Sequence, residues 1–361
     1  MKGNNDSNLG ISHKTDLKAM RLLTSFSFEE LQELCVDELK EPKFRAKQLA
    51  EWLYKKLVLD YTKMRNLPAS FFDKLVKSNI INCSSKVIKY NKSKDGTQKI
   101  LIELADHEVI ESVIIPSEKR VTFCLSTQVG CPVQCFFCAS GRSGLTRNLS
   151  TGEIVEQFIH CCQLIDYKLP SNIVFMGIGE GLLNLSNLLK ALTIISSENE
   201  INLGARRITV STSGWVPGIN KLADENKQFN LAISLHAVDD ETRAKLIPDK
   251  MRYPVDEILE ACRYYREKTN RMVTFEYTLL KGLNDSLVAA KKLAQIALEN
   301  RAKVNLIPYN STENEVFVRP SNDRIKKFAS ILANAGVQVS VRKEMGDDVD
   351  AACGQLRNKH N

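Results

Sequence analysis

No stretch of the sequence is both long and continuously apolar. The longest run without a charged residue, Val121 to Gly141, is long enough by count to span a bilayer. It contains Ser126, Thr127, Gln128, Gly130, Pro132 and Gln134, whose polar groups hydrocarbon cannot satisfy, so a membrane span is not expected there. The N-terminus (Met1-Lys2-Gly3-Asn4-Asn5-Asp6) lacks the apolar core of a secretory signal, and a soluble, cytoplasmic protein is expected. No internal repeat or low-complexity tract stands out. With 43% hydrophobic and 26% charged residues, the composition excludes a disordered, collagenous or coiled-coil chain. Its 361 residues suffice for about two domains.

Acidic residues are scarce in one region. Between positions 40 and 94 stand 14 Lys and Arg against four acids, a local charge of +10 in a chain whose total is +7. Such an imbalance suits a surface facing phosphates, although a solvated helix face would look the same. Cysteine, by contrast, is abundant, at ten residues. Without a secretory context the clustered ones read as metal or redox sites rather than a disulfide framework. Cys35, Cys83, Cys161, Cys162 and Cys262 read as buried small hydrophobes.

Periodicity organises the chain. Phe28, Leu31, Leu34 and Cys35 recur at helical spacing after a Ser27 cap. Phe44, Leu49, Trp52, Leu53 and Leu57 mark a second amphipathic helix, and Phe71, Phe72, Leu75 and Val76 a third after Pro68. Alternating β-branched segments follow at 86–90, 97–104 and 108–115, with Asp95-Gly96 as a hairpin turn. From Val121 strand-like runs (121–126, 172–177, 206–212, 229–235, 272–279, 303–308, 337–342) alternate with helical ones near 151–167, 186–198, 216–226, 254–268, 285–300 and 321–334. This rhythm predicts an α/β fold with βαβ crossovers and a parallel sheet. About six units rather than eight point to a partial (βα)6 barrel, with its active site past the strand C-termini.

The loop after the first barrel strand reads Gly130-Cys131-Pro132-Val133-Gln134-Cys135-Phe136-Phe137-Cys138, a C-x3-C-x2-C spacing. Three close thiolates can hold three irons of a cubane and leave the fourth open. Iron–sulfur clusters usually have a fourth Cys ligand, so its absence is informative. The alternative is structural zinc with Cys124 as fourth thiolate, although such sites more often pair two short Cys knuckles.

This motif after the first strand of a (βα) domain resembles the radical S-adenosylmethionine (radical SAM) superfamily. Further segments narrow the resemblance: Gln128-Val129-Gly130-Cys131, Arg147-Asn148-Leu149, Phe175-Met176-Gly177-Ile178-Gly179-Glu180, Ser211-Thr212-Ser213-Gly214, Ser234-Leu235-His236-Ala237, and Asn305-Leu306-Ile307-Pro308-Tyr309-Asn310. Near the C-terminus stands Gly346-Asp347-Asp348-Val349-Asp350-Ala351-Ala352-Cys353-Gly354-Gln355-Leu356. Together, over about residues 22–356, these resemble the RlmN/Cfr family of RNA adenine methyltransferases, and the housekeeping adenine-C2 branch more than the carbon-8 antibiotic-resistance branch.

The resemblance implies a 4Fe-4S cluster on Cys131, Cys135 and Cys138, with S-adenosylmethionine (SAM) as both methyl donor and radical source. It implies cofactor contacts at Gly179, Glu180, Ser211, Ser234, Leu235, His236 and Asn310. Adenine carbon 2 has no lone pair to attack an electrophilic methyl, so a carrier is needed. By resemblance Cys353 becomes S-methylcysteine, and a deoxyadenosyl radical activates that methyl for addition to the base. Cys124 then resolves the protein–RNA intermediate by pairing with Cys353, and Glu111 matches the family's proton acceptor. Ala351, Ala352 and Gly354 flank Cys353 with small residues, which lets the thiol approach a ligand closely. The sequence departs from the family at Gly181, where many members have Pro after the Glu, and this is expected to loosen the turn.

Expected partners are 23S rRNA, with tRNA as a second substrate, and a flavodoxin-type electron donor; a monomer is expected. The organisation implied is a mobile N-terminus (1–20), a helical RNA-binding accessory domain (21–85), a small β extension (86–118), the radical SAM barrel (119–345) and a C-terminal loop (346–361). Arg45, Lys47, Lys55 and Lys56 are candidates for phosphate contacts, with Trp52 or Tyr54 stacking on a base. The target adenosine must leave any stack to be reached. The rival from another class is a non-catalytic zinc RNA-binding protein using Cys124, Cys131, Cys135 and Cys138.

Overall fold

The computed structural model describes residues 20–312, 316–343 and 345–357. The expected mobile N-terminus lies outside these residues but for Met20. Ser27 opens the first helix, Phe28–Glu33, by accepting from the Glu30 amide while the Glu30 carboxylate accepts from the Ser27 amide. This reciprocal cap satisfies two donors the helix cannot. Helical turns at Phe44–Lys55 and Ala69–Lys77 bury Leu49, Leu53, Phe71 and Leu75 completely. A short parallel pairing of Arg21–Leu22 with Ile80–Ile81 joins the two ends of the helical segment.

That segment shares one apolar core with the rest of the chain, continuous from Leu23 and Leu31 to Phe123, Phe158 and Ile195. A buried carboxylate sits at the junction. Glu156, on the helix Thr151–Gln163, accepts from Thr24 Oγ1 and from the Ser84 amide and hydroxyl. Burial outweighs these donors and pushes its carboxyl up to about 7. Its neighbour His160, reached through Ser85, is held neutral by burial. Because the folded carboxyl binds its proton more tightly than the unfolded one, its stabilising contribution is complete below about pH 4.5 and is lost as pH rises to about 7. Thermal melts should therefore show wild type losing on the order of 3 kcal/mol relative to Glu156→Gln across that window. A margin independent of pH would contradict this.

A ten-stranded sheet forms the frame. In sequence and in space its order is β1 (Lys86–Lys92), β2 (Gln98–Glu103), β3 (Val109–Ser117), β4 (Arg120–Cys124), β5 (Asn172–Phe175), β6 (Ile208–Thr212), β7 (Asn230–Ser234), β8 (Thr274–Leu279), β9 (Lys303–Pro308) and β10 (Val339–Val341). Strands β1 to β4 are antiparallel, whereas β4 to β10 are parallel and joined by six long helices. The expected partial barrel is thus six βα units and a final seventh strand. The β extension continues the same sheet, and β4 pairs with β3 rather than with β10. The barrel is left open.

The C-terminal residues bridge that opening. Gly346 N–H donates to Asp95 in the β1–β2 turn at 2.8 Å, and Lys99 on β2 reaches the Asp350 carbonyl at 3.4 Å. Asn310, just past β9, donates to the Cys353 carbonyl at 3.1 Å. Cys35, Cys161, Cys162 and Cys262 are buried as expected. Cys83 is only half-buried, its thiol donating to the Ser85 carbonyl. Among the described residues no helix is long and apolar enough to cross a membrane.

Candidate active site

Past the C-terminal ends of the parallel strands lies a cleft of about 960 Å³, part of it open to solvent. Its floor is the cysteine loop, framed by an antiparallel pairing of Gln128–Gly130 with Leu145–Asn148. Gly130 takes φ +76°, and a Cβ there would meet the Gly144 carbonyl oxygen at 2.0 Å, so only glycine permits this entry to the loop. Arg147 pins the ribbon by pairing with Asp106 and Glu153.

Cys131, Cys135 and Cys138 all line the cleft and pack against Val133, Phe137, Leu246 and Leu280. Burial pushes the Cys131 thiol up to about 12 and raises those of Cys135 and Cys138. Thiols so placed keep their protons until a metal displaces them. Among the described residues no three His, Cys, Asp or Glu converge on a point where one ion would sit. Three thiolates that each hold a separate iron of a cubane need no such point.

Glu180 lies on the same cleft. Its carboxylate accepts from the Ser213 amide at 2.7 Å and the Leu182 amide at 3.2 Å, and its own amide donates to Gln128 Oε1. Burial raises its affinity for a proton, and no basic side chain among the described residues pairs with it. Gly179 takes φ +113°, and a Cβ would press on Thr127 Oγ1 at 2.7 Å. Gly181 does not loosen the turn as expected: Gly181–Asn184 folds into a short helical turn capped by Glu180.

Ser211 and Ser234, at the ends of β6 and β7, also line the cleft, as do His236 and Asn310. His236 Nδ1 accepts from the Thr278 amide at 3.0 Å, which leaves the proton on Nε2. Burial lowers its imidazole to about 3, so it is neutral. Leu235 is fully buried and does not reach the cleft with its side chain.

Cys353 enters the cleft on the C-terminal loop. Cys124 ends β4 beneath it, opposite Val113 and Val174, and packs with Ala351 and Leu356 of that loop. Burial pushes Cys124 up to about 12, and the nearby Cys353 adds to this while Arg342 opposes it. Both thiols are free. Glu111 stands outside the cleft lining. Its carboxylate pairs with Lys99 at 3.2 Å and accepts from the Arg357 amide at 2.8 Å.

Three cleft-side residues carry no sequence signal of their own. Arg342 follows β10 and donates to Cys353 Sγ at 2.8 Å. Glu276, in mid-β8, has one carboxylate oxygen on Asn305 and the other without a partner. Arg243 is fully buried near Cys135, with Nε and one terminal nitrogen unpartnered. Only the rule that barrel sites gather at strand ends could have found Arg342.

Of the residues expected to meet RNA, Lys47 is exposed. Lys55 donates to the Glu198 carbonyl, Lys56 pairs with Glu51 and covers the Trp52 ring at 3.9 Å, and Arg45 is half-buried beside Glu41. Tyr54 is only 1% exposed with its hydroxyl bonded to the Phe26 carbonyl, so it cannot stack on a base. Phe44, read as part of an apolar helix face, is exposed beneath Arg45.

The Radical SAM superfamily model matches residues 125–294, and the model of the ribosomal RNA large subunit methyltransferase N-terminal domain matches residues 22–81. The chain is 44% identical over 340 residues to a probable dual-specificity RNA methyltransferase RlmN of Caldicellulosiruptor saccharolyticus, covering 94% of this chain and 98% of that one. The chain belongs to the RlmN family. A second RlmN relative, probable dual-specificity RNA methyltransferase RlmN 3 of Opitutus terrae, is 45% identical over 346 residues, 89% of this chain and 90% of its own. The crystal structure of a radical SAM methyltransferase from Sphaerobacter thermophilus superimposes with a TM-score of 0.89 at 41% identity, covering 94% of this chain and 99% of that one.

An RlmN-family chain is an enzyme, a radical SAM methyltransferase, and its cofactors are a 4Fe-4S cluster and SAM. The non-catalytic zinc reading falls with that membership. The cleft residues fit both groups. The three thiols face it from apolar surroundings, and Glu180 presents a buried carboxylate that lacks a cation. The unpartnered Glu276 oxygen and Ser213 hydroxyl are further buried polar atoms at the same cleft.

Proposed function

We propose that this RlmN-family enzyme methylates carbon 2 of an adenosine in 23S rRNA, and an adenosine of tRNA as well, with Cys353 as methyl carrier. The observation that carries the reading is the meeting of Cys353 with Cys131, Cys135, Cys138 and Glu180 at one cleft. Cys131, Cys135 and Cys138 are the residues to hold the cluster, which when bound supplies the electron that opens SAM to radical chemistry. Glu180 answers the ammonium of SAM with its unpaired carboxylate. Ser211, Ser234 and neutral His236 offer polar contacts from three separate strand ends, and the main chain at Leu235 lies between the last two.

Asn310 steadies the carrier loop through the Cys353 carbonyl. Cys353 accepts a methyl from SAM as a nucleophile, and Cys124 beneath it releases the methylated base. Glu111 is the proton acceptor in this reading, held by Lys99 and by the Arg357 amide. The helical segment of residues 21–85 supplies the RNA surface, with exposed Lys47 and Phe44 on it. A cytoplasmic monomer reduced by a flavodoxin-type donor completes the proposal.

Nucleoside mass spectrometry of treated 23S rRNA and tRNA tests it. The expected product is 2-methyladenosine; 8-methyladenosine would instead assign the chain to the carbon-8 chemistry. Glu180→Gln tests the cofactor site separately. Removing a charged partner from a buried contact should weaken SAM binding about ten- to a hundredfold by equilibrium dialysis of cluster-loaded protein. Unchanged affinity would remove Glu180 from the site.

A further inference from the structure

Arg342 has the most unusual set of partners in the cleft. It follows β10, and its amide donates to the Leu306 carbonyl, so the ladder to β9 fixes the root of the side chain. The side chain is half-buried. One terminal nitrogen donates to Cys353 Sγ at 2.8 Å, and the other lies 3.7 Å from Met176 Sδ. The titratable groups facing it are Cys353, Glu276 and Cys124. Glu276 spends one oxygen on Asn305 and makes no hydrogen bond to Arg342. A planar fork suited to carboxylates is therefore turned toward sulfur.

We propose that Arg342 is the positioning residue for methyl loading: it holds Cys353 Sγ in its receiving position in the cleft and loosens its hold once the sulfur carries a methyl. The proposal rests on the carrier reading of Cys353. In the loading step a lone pair of Cys353 Sγ forms the S–CH3 bond and the thiol proton passes to water. The methyl–sulfonium bond of SAM breaks with its electron pair and S-adenosylhomocysteine leaves. No proton, oxidant or reductant is consumed. A thioether is a weak acceptor, and an added methyl crowds a donor that sits 2.8 Å from the sulfur. Loading the methyl thus weakens the bond that kept the sulfur in its receiving position. Cys124, also within the field of Arg342, stands ready for the later exchange with Cys353.

The test is the loading step alone, with full-length, cluster-loaded enzyme and saturating SAM in the absence of RNA. S-methylation of Cys353 is followed by peptide mass spectrometry, and iodoacetamide capping of the same residue at one fixed pH is followed in parallel. Arg342→Gln is expected to slow both by about tenfold or more, as loss of a charge-assisted bond requires. Arg342→Lys restores a charge without the fork and should fall between, about threefold or more below wild type. Slow methylation with slow capping supports the proposal, because a purely structural role would not be rescued in part by lysine. Wild-type rates in Arg342→Gln overturn it. If that variant does not fold, wild-type rates in Arg342→Lys overturn it instead. Failure of the carrier reading looks different: wild-type Cys353 itself stays unmethylated.

Discussion

Cys353→Ala is expected to yield no methylated RNA, with product below detection rather than merely reduced. Carbon 2 of adenine offers no lone pair, so a methyl cannot reach it by direct displacement from SAM, and in the proposed reaction every turnover passes through the carrier sulfur. No other thiol can substitute. Cys131, Cys135 and Cys138 are committed to the cluster in this account, and Cys124 is buried on β4. The substitution is structurally mild. Cys353 is flanked by Ala352 and Gly354, and its backbone is held by Asn310 through a carbonyl that alanine retains. Thermal stability should therefore stay close to wild type while methyl transfer, read by tritiated SAM, disappears. Product at wild-type yield would dismiss the carrier role.

Cys124→Ala should give a different failure. The steps before resolution remain, so Cys353 still loads a methyl and still couples to the base. The covalent protein–RNA adduct then persists, because the thiol that would attack Cys353 is missing. It should appear as a slow-migrating band abolished by ribonuclease. Geometry argues for this order of events. Cys124 lies beneath the loop that carries Cys353, close enough that Cys353 disfavours its ionisation, and its thiol is held protonated up to about 12. A thiol so reluctant to ionise is a poor first nucleophile, and the cationic Arg342 nearby eases its ionisation. Continued turnover without an adduct would show that release needs no second cysteine.

Much of this architecture was legible in the sequence because its signals are local. Ser27 before Phe28–Glu33 announces a helix start with a side-chain cap. The barrel strands, apolar on both faces, read as short hydrophobic runs. The cysteine loop is legible since its chemistry depends on spacing alone. What stayed hidden depends on closure of the chain over long distances. Glu276 sits in Thr274-Phe275-Glu276-Tyr277-Thr278, an ordinary alternating strand, and only the neighbouring Asn305 and the cleft distinguish it. Arg342 resembles any cation at a strand end until the C-terminal loop brings Cys353 to it, 11 positions later. Tyr54 looked free to stack because helical periodicity cannot say that the Phe26 carbonyl would claim its hydroxyl. The turn at Gly181 is set by the Glu180 carboxylate and the Leu182 amide rather than by the freedom of glycine.

The most direct test is anaerobic reconstitution followed by iron, sulfide and zinc analysis of wild type and of single alanine variants. The account predicts four irons and four sulfides per chain, lost on substitution of Cys131, Cys135 or Cys138 and retained on substitution of Cys124 or Cys353. One tightly bound zinc per chain, without iron and dependent on Cys124, would contradict it.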